Sequence, residues 1–169
     1  MRNARLGDLD VRALGRREHY DSAALRRRVS AQSLAALVGA AFLLLGLLGF
    51  VPGITTDHHD LRFAGSGSDA KLFGLFGVSV LHNLVHLVLG AAGIACSATQ
   101  TSAVRFLYGV GIASLALWTL GVCGAAGWLP VNSDDNWLHL VLGTGAIWFG
   151  YLGAADAAAA SPAASPSPL

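Results

Sequence analysis

Charged side chains are scarce in this chain, and most of its length has none. Only 12% of the 169 residues are Asp, Glu, Lys or Arg, whereas 54% are hydrophobic. Four stretches carry no charged residue: 31–56, 72–104, 106–133 and 136–155. A helix of a soluble protein needs a polar face, so stretches of this length exclude a soluble helical bundle. Because about 20 apolar residues cross the hydrocarbon core of a bilayer, they predict an integral membrane protein.

Cysteine and catalytic motifs are scarce too. Cys96 and Cys123 are the two cysteines. They are expected near opposite ends of their helices, tens of ångströms apart at about 1.5 Å per residue, which excludes a disulfide. The sequence shows no glycine-rich phosphate loop, no activated serine and no pair of buried carboxylates. We therefore predict that the protein is not an enzyme.

The charge-free stretches predict an all-α bundle of four membrane-spanning helices within a membrane domain of residues 31–157. The four spans are expected at residues 31–51, 80–98, 105–129 and 134–155. Eight arginines fall within residues 1–30, whereas the two connections on the opposite side together hold five aspartates, one arginine and one lysine. Because Lys and Arg mark the cytoplasmic side, both termini are predicted to be cytoplasmic in a plasma (inner) membrane.

The two ends of the chain differ in composition from the membrane domain. The Arg-rich arm over residues 1–30 is expected to rest on anionic lipid rather than to bind nucleic acid. Ala, Ser and Pro over residues 158–169 predict a disordered tail. The expected partners are the lipid bilayer and, within it, a second copy of this chain or another membrane protein.

Two segments 53 residues apart match without a gap. Between residues 74–94 and 127–147, nine of the 21 aligned positions are identical. Chance pairing in so biased a composition gives roughly two. The exit of the first span, Gly49–Pro52, also resembles Gly127–Pro130 after the third. We predict two tandem hairpins of the same orientation, related by an axis along the membrane normal.

Two signatures resemble a known family. The first comprises Gly49–Thr56, Phe63–Gly65 and Leu75–His86, and the second is Pro130–His139. Over residues 31–151 the chain is similar to a bacterial family of small four-span membrane proteins, common in actinobacteria and known as domain of unknown function 4383. The resemblance implies a four-helix membrane architecture and membrane location, and it implies no particular activity.

Each repeat opens its second helix with an Asn and a His three residues apart. N-caps are predicted at Ser79 and Asn132, and positions i and i+3 share one helix face. Polar groups are costly against lipid, so they should point into the bundle. We predict that they tie the second and fourth spans by hydrogen bonds of about 1 kcal/mol each. The tie residues are Asn83, His86, Asn136 and His139.

A ligand site at the same positions stays open as an alternative. His82, His86 and His139, with Asp135, form a candidate set of transition-metal ligands. His86 and His139 alone form a candidate axial pair for haem b. His82 aligns with Asp135 in the other repeat, which predicts a contact between them at the rim of the bundle. The segment 57–60, Asp-His-His-Asp, is expected to be a solvated loop.

Two other functions are weakened by missing carboxylates. His82 to His86 has the outline of the His-Glu-x-x-His zinc-protease helix, but Asn83 replaces the glutamate that takes a proton from metal-bound water. A small oligomeric transporter is a second alternative, yet the first three spans contain no Asp or Glu for proton coupling. We therefore predict a non-enzymatic structural or interaction component of the bacterial cell envelope, without a cofactor.

Overall fold

The protein is an all-helical bundle with a small folded connection at one end. The computed structural model describes residues 30–160, apart from the side chain of Ala160. All of the predicted Arg-rich arm except Ser30, and residues 161–169 of the predicted tail, lie outside the described residues. The four helices are α1 (Ala31–Leu48), α2 (Val80–Cys96), α3 (Gln100–Val122) and α4 (Ser133–Ala160).

Three of these helices, α1, α3 and α4, are long and apolar enough to cross a membrane. Helix α2 is also apolar but shorter, at 17 residues. The prediction of an all-helical protein is therefore confirmed, and three of its helices are candidate membrane spans by length and composition.

Capping side chains set the start of α2, α3 and α4. Ser79, Thr99 and Asn132 each stand just before a helix, and the side-chain oxygen of each accepts a first-turn backbone N–H at 2.8–3.2 Å. The N-caps predicted at Ser79 and Asn132 are confirmed. The cap at Thr99 starts α3 at Gln100, five residues ahead of the predicted start at residue 105.

Helix α3 ends at Val122, seven residues before its predicted end at residue 129. Gly124 follows with a φ of 70°, a left-handed conformation that a glycine adopts without strain. The N–H of Ala125 donates to the carbonyl of Leu120 at 2.8 Å, and that of Gly124 donates to Gly121 at 3.2 Å. This pattern is a Schellman motif, which stops the helix although the sequence stays apolar.

The remaining helix ends differ from the prediction by smaller amounts. Helix α1 ends three residues before residue 51, and α2 ends two residues before residue 98. Helix α4 continues five residues past residue 155, into the segment predicted as tail. Its last residues are mostly alanine, the strongest helix former, which accounts for the extension.

The connection between α1 and α2 contains a three-stranded antiparallel sheet that the sequence analysis missed. Its strands are β1 (Thr55–Thr56), β2 (Lys71–Leu72) and β3 (Phe76–Gly77), in that spatial order. A short 3₁₀ helix, His58–Asp60, lies between β1 and β2. Strands of two residues are too short to show an alternating pattern in the sequence.

The sheet packs on the end of α1 through a small core of its own. Ala70, Leu72 and Val78 are buried there, and Leu45 and Leu48 of α1 pack against them. This end of the bundle, together with the connection between α3 and α4, is called the loop end below. The opposite end, where α2 turns into α3, is called the turn end.

The helices pack as two pairs, α1 with α2 and α3 with α4. The pairs meet mainly through α1 and α3, where Ala35 and Leu107 are fully buried near the turn end. Phe42 and Val110 continue this contact toward the middle of the bundle. Within the described residues, α2 and α4 make almost no contact with each other. A space therefore remains between α2 and α4.

Glycines bring the two helices of each pair into backbone contact. A Cβ added to Gly39 of α1 would lie 2.9 Å from the carbonyl oxygen of Gly90 in α2. A Cβ added to Gly111 of α3 would lie 3.0 Å from the carbonyl oxygen of Gly143 in α4. Close contacts between small residues are a usual way for helices to associate in lipid, where no hydrophobic effect drives them together.

Candidate functional site

A cavity of about 300 Å³ occupies the loop-end half of the bundle, between α2, α3 and α4. His82 and His86 of α2 line one side of it, and His139 of α4 lines another. Trp128 and Pro130, from the connection between α3 and α4, also line it. The structure thus brings together the three histidines that the sequence analysis singled out within the membrane domain.

The two histidines of α2 form an aromatic cluster with α1. The ring centroids of His82 and His86 lie 4.4 Å apart in an edge-on arrangement. Phe42 of α1 also lies beside His86, with ring centroids 5.3 Å apart. Aromatic rings attract each other at these separations, so both contacts help to orient His86.

His139 is the most deeply buried of the three histidines. Its side chain belongs to a residue that is only 7% exposed, and its Nδ1 atom has no hydrogen-bond partner among the described residues. A buried polar atom without a partner costs about 1–3 kcal/mol relative to one that is hydrogen-bonded. Nδ1 is enclosed by the protein, so a molecule in the cavity can reach the His139 ring only through Nε2.

Asp135 has a structural role that the sequence analysis did not anticipate. Its Oδ2 atom accepts the backbone N–H of Asn132 at 2.9 Å and that of Gly77 at 3.0 Å, and the residue is 2% exposed. The first bond completes a capping box with the Asn132 cap. The second joins β3 to the start of α4, and the Asn132 side chain adds a bond to the Leu75 carbonyl at 2.7 Å.

These bonds replace the predicted contact between His82 and Asp135. The aspartate reaches back to the start of its own helix, as a third-position carboxylate does in a capping box. The second bond needs a glycine at position 77, because a Cβ there would overlap with the carbonyl of Pro130 and keep the backbone N–H from approaching Asp135. His82 instead lies against His86 on the cavity wall.

The four residues proposed as metal ligands do not form a metal site. Among the described residues, no group of three or more His, Cys, Asp or Glu side chains is placed to hold a metal ion. Asp135 does not share a function with the histidines, because its carboxylate accepts hydrogen bonds from two backbone N–H groups. The candidate set of His82, His86, His139 and Asp135 stays a prediction, with three of its members on one cavity and Asp135 hydrogen-bonded elsewhere.

The predicted polar ties between α2 and α4 are not formed either. Asn83 is completely buried, and neither its Oδ1 nor its Nδ2 has a hydrogen-bond partner within the described chain. Its amide packs on Gly49, just past α1, and the amide of Asn136 packs on Gly121 of α3 in the same way. The i, i+3 spacing places the Asn and the His of each repeat on one face of their helix, but it does not specify which helix this face contacts. Here each asparagine faces the glycine of its own pair.

Among the described residues, the two histidines outside the bundle lie in the connection that carries the sheet. His58 Nε2 lies 3.2 Å from the carbonyl oxygen of Phe50, and His59 Nε2 lies 3.1 Å from Oδ2 of Asp60. These contacts are local to the 3₁₀ helix and its surroundings, as expected of a loop segment.

Comparison with known proteins gives one match. A family model described as "Domain of unknown function (DUF4383)" matches residues 32–152. The match covers both signatures and all four helices up to residue 152, so the resemblance seen in the sequence is confirmed. No curated protein and no solved structure matches the chain.

Proposed function

The chain belongs to the DUF4383 family, and from this premise we propose that it is a small integral membrane protein with a structural or interaction role in the bacterial cell envelope. It acts without catalysis and without a resident cofactor. Its partners are lipid and either a second copy of the chain or another membrane protein. Both termini lie on the cytoplasmic side.

The observation that carries this proposal is the apolar outer surface of every helix. Leu37 of α1 is 65% exposed, Val88 of α2 68%, Ile112 of α3 61% and Val141 of α4 65%. A soluble monomer rarely exposes large apolar side chains around its whole circumference. Helix α2 also exposes apolar side chains, so its outer surface is suited to contact with lipid in the same way as the outer surfaces of the other three helices.

The length of α2 is compatible with a fourth crossing. Seventeen residues span about 26 Å at 1.5 Å per residue. A bilayer core is about 30 Å thick, and spans as short as about 17 residues are known. The Ser79 cap and the folded loop end give α2 a polar boundary at one end. These features support a chain that crosses the membrane four times.

The two helix pairs have matching contacts, which supports their origin as tandem hairpins. In the first pair Gly39 meets Gly90, and in the second Gly111 meets Gly143. The contact glycines of the two first helices, Gly39 and Gly111, are 72 residues apart in the sequence, and those of the two second helices, Gly90 and Gly143, are 53 residues apart. The contact of Gly49 with Asn83 recurs 72 residues later at Gly121, not at Gly127 as the sequence alignment suggested. Equal contacts in equal order support two hairpins of the same orientation.

The interaction role is tested by chemical cross-linking in native membranes. The full chain is expressed at its natural level and treated with a short amine- or carboxyl-reactive cross-linker, and the products are separated by mass. The expected result is a discrete species, either twice the mass of the chain or the chain plus one other membrane protein. A chain that stays monomeric at every cross-linker concentration contradicts the interaction role.

Haem binding is a second candidate because His86 and His139 line a common cavity. The absorption spectrum of the purified protein in detergent distinguishes the two functions. The main proposal expects no Soret band. A Soret band that His86→Ala or His139→Ala abolishes, while His59→Ala leaves it unchanged, would overturn the main proposal in favour of a haem protein.

A further inference from the structure

The cavity that holds the three histidines has a lining without charge. Apolar side chains from all four helices, such as Leu89 and Leu142, provide most of its wall. None of the described residues that line it is Asp, Glu, Lys or Arg. A cavity of this kind does not suit an anion or a phosphate headgroup, since burying a charge without a partner is costly.

Polar groups are few in this lining. The side chains that supply them are His82, His86, His139, Ser79, Ser114 and Trp128. A neutral imidazole offers one N–H donor and one acceptor nitrogen. An apolar pocket with a small number of polar groups is the usual form of a site for a small organic molecule.

His139 offers the cavity a polar atom. The residue is over nine-tenths buried and lines the cavity, and because Nδ1 is enclosed, Nε2 is the ring nitrogen that a molecule in the cavity can reach. On the facing wall, His86 presents a ring already aligned against Phe42 and His82. A flat ring bearing a hydrogen-bonding oxygen satisfies both features, because it stacks on the aromatic cluster and pairs with His139.

The cavity is reached from the side of the bundle. Leu81 and Val85 of α2 line it and are 41% and 47% exposed, and Trp128 lines it and is 61% exposed. Residues that both line a cavity and face outward mark its mouth. If the protein lies in a bilayer, a cavity opening lined by apolar residues on the outer surface of the bundle admits molecules dissolved in the lipid rather than molecules dissolved in water.

We propose that this cavity binds a neutral, membrane-dissolved molecule with a carbonyl-bearing ring, of the prenyl-quinone class. The ring lies against His86 and Phe42, one carbonyl oxygen accepts a hydrogen bond from His139, and the hydrocarbon tail leaves between Leu81 and Val85. The site is a binding site, and no electron transfer is assigned to it. The inference rests on the proposed placement of the chain in the bilayer.

Trp128 provides a direct readout, because quinones quench tryptophan fluorescence at short range. The full chain is prepared in lipid nanodiscs as a Trp128-only protein, with Trp118, Trp137 and Trp148 replaced by Phe. A matched protein keeps Trp148, which is outside the cavity and stacks on Tyr151 with ring centroids 5.9 Å apart. The probe is a decyl-tailed 1,4-benzoquinone added at increasing mole fraction in the lipid.

Saturable quenching of the Trp128-only protein is expected, whereas the Trp148-only protein should show only a gradual, unsaturable decrease. His139→Leu in the Trp128-only protein should weaken the apparent affinity about tenfold, the loss of one buried hydrogen bond. His59→Leu, in the exposed loop, should leave it unchanged. Identical unsaturable quenching of both tryptophans overturns the proposal.

A second variant covers the case in which His139→Leu does not fold. Ala113→Phe narrows the cavity at an exposed position of α3, and it should abolish saturation while the melting temperature stays that of the parent protein. Displacement of the quinone by an equal mole fraction of dioleoylglycerol would assign the site to an ester lipid and reject the quinone. If α2 is shown to cross the membrane and quenching is unsaturable, only this inference fails and the proposed function stands.

Discussion

The two helix pairs use the same contacts between their helices and different chemistry at their loop ends. In the α1–α2 pair, position 82 is a histidine that faces the cavity, and the connection is long enough to hold a sheet. In the α3–α4 pair, position 135 is an aspartate bonded to backbone amides, and the connection is short. At these aligned positions the first pair therefore gives the cavity a histidine, whereas the second pair uses an aspartate to hold the folded loop in place.

Asp135 links the two halves of this comparison. Its bond to Gly77 belongs to the sheet of the first pair, although the carboxylate stands on a helix of the second. A neutral histidine at position 135 would offer a single acceptor nitrogen, which could not accept the N–H groups of both Asn132 and Gly77 as the carboxylate does. The departure from the repeat at this position therefore has a structural cause.

The largest expected effect comes from filling the glycine contacts within each pair. Gly39→Leu and Gly111→Leu force a side chain against the backbone of the partner helix, so each should lower the free energy of unfolding by about 3 kcal/mol. Gly109→Leu is the matched control, since nothing lies within 4 Å of a Cβ at that position. Thermal unfolding in detergent measures all three. A large effect at one glycine and none at the other would break the equivalence of the pairs.

Loss of the Asp135 carboxylate should have the next largest effect. Asp135→Ala removes the acceptor of one buried and one partly buried backbone amide and should destabilise the protein by about 2 kcal/mol. Asp134→Ala, at an exposed position in the same helical turn, should cost only a few tenths of a kcal/mol, about the strength of a charge at a helix N-terminus. Equal melting temperatures for the two variants would show that Asp135 does not hold the loop.

A third prediction compares the asparagine contacts of the two pairs. Gly49→Ala should cost about 1 kcal/mol or more, because Asn83 is fully enclosed and cannot move away from the added methyl group. Gly121→Ala should cost less, since Asn136 is only half-buried and alanine favours the helix by up to about 1 kcal/mol.

Double variants check whether these effects arise from the contact itself. Adding Asn83→Ala to Gly49→Ala should restore part of the lost stability, and the coupling free energy should be larger than for Asn136→Ala with Gly121→Ala. Strictly additive melting shifts in both pairs would mean that the amide and the glycine do not interact.

The smallest effect is expected at the turn end, where each pair has one glutamine bond. Gln100 Nε2 donates to the carbonyl of Gly153 at 2.9 Å in a partly buried setting, and Gln32 Nε2 donates to Ala98 at 3.1 Å in an exposed one. Gln100→Ala should cost about 1 kcal/mol and Gln32→Ala under about 0.5 kcal/mol, because exposed groups exchange the bond for water. A larger effect at Gln32 in detergent melting would reverse this ranking.

Local features of the helices were readable from the sequence. The charge-free stretches located the four helices, and the oxygen-bearing side chains of Ser79 and Asn132 identified two helix starts, because capping involves only neighbours in the chain. The end of α3 was missed since the apolar run continues beyond it. The glycine at position 124 was the available signal, as a left-handed residue after a helix is commonly glycine.

Features that depend on distant residues were not readable. The bond from Gly77 to Asp135 joins residues 58 apart, and no local pattern specifies it. The spacing of Asn83 and His86 predicted a common inward face, yet the residue that meets this face is set by how α1 and α2 pack. The cavity likewise arises because α2 and α4 fail to meet, which is a property of the whole bundle.

Whether α2 crosses the membrane tests the central claim most directly. Single cysteines are placed at Ser66, in the loop-end connection, and at Ala98, in the turn after α2, with Cys96 and Cys123 replaced by Ser; both test positions are exposed. A membrane-impermeant maleimide is applied to spheroplasts before and after lysis. The account predicts labelling of Ser66→Cys in intact spheroplasts and of Ala98→Cys only after lysis. Labelling of both positions in intact spheroplasts, or of neither position until lysis, would contradict it.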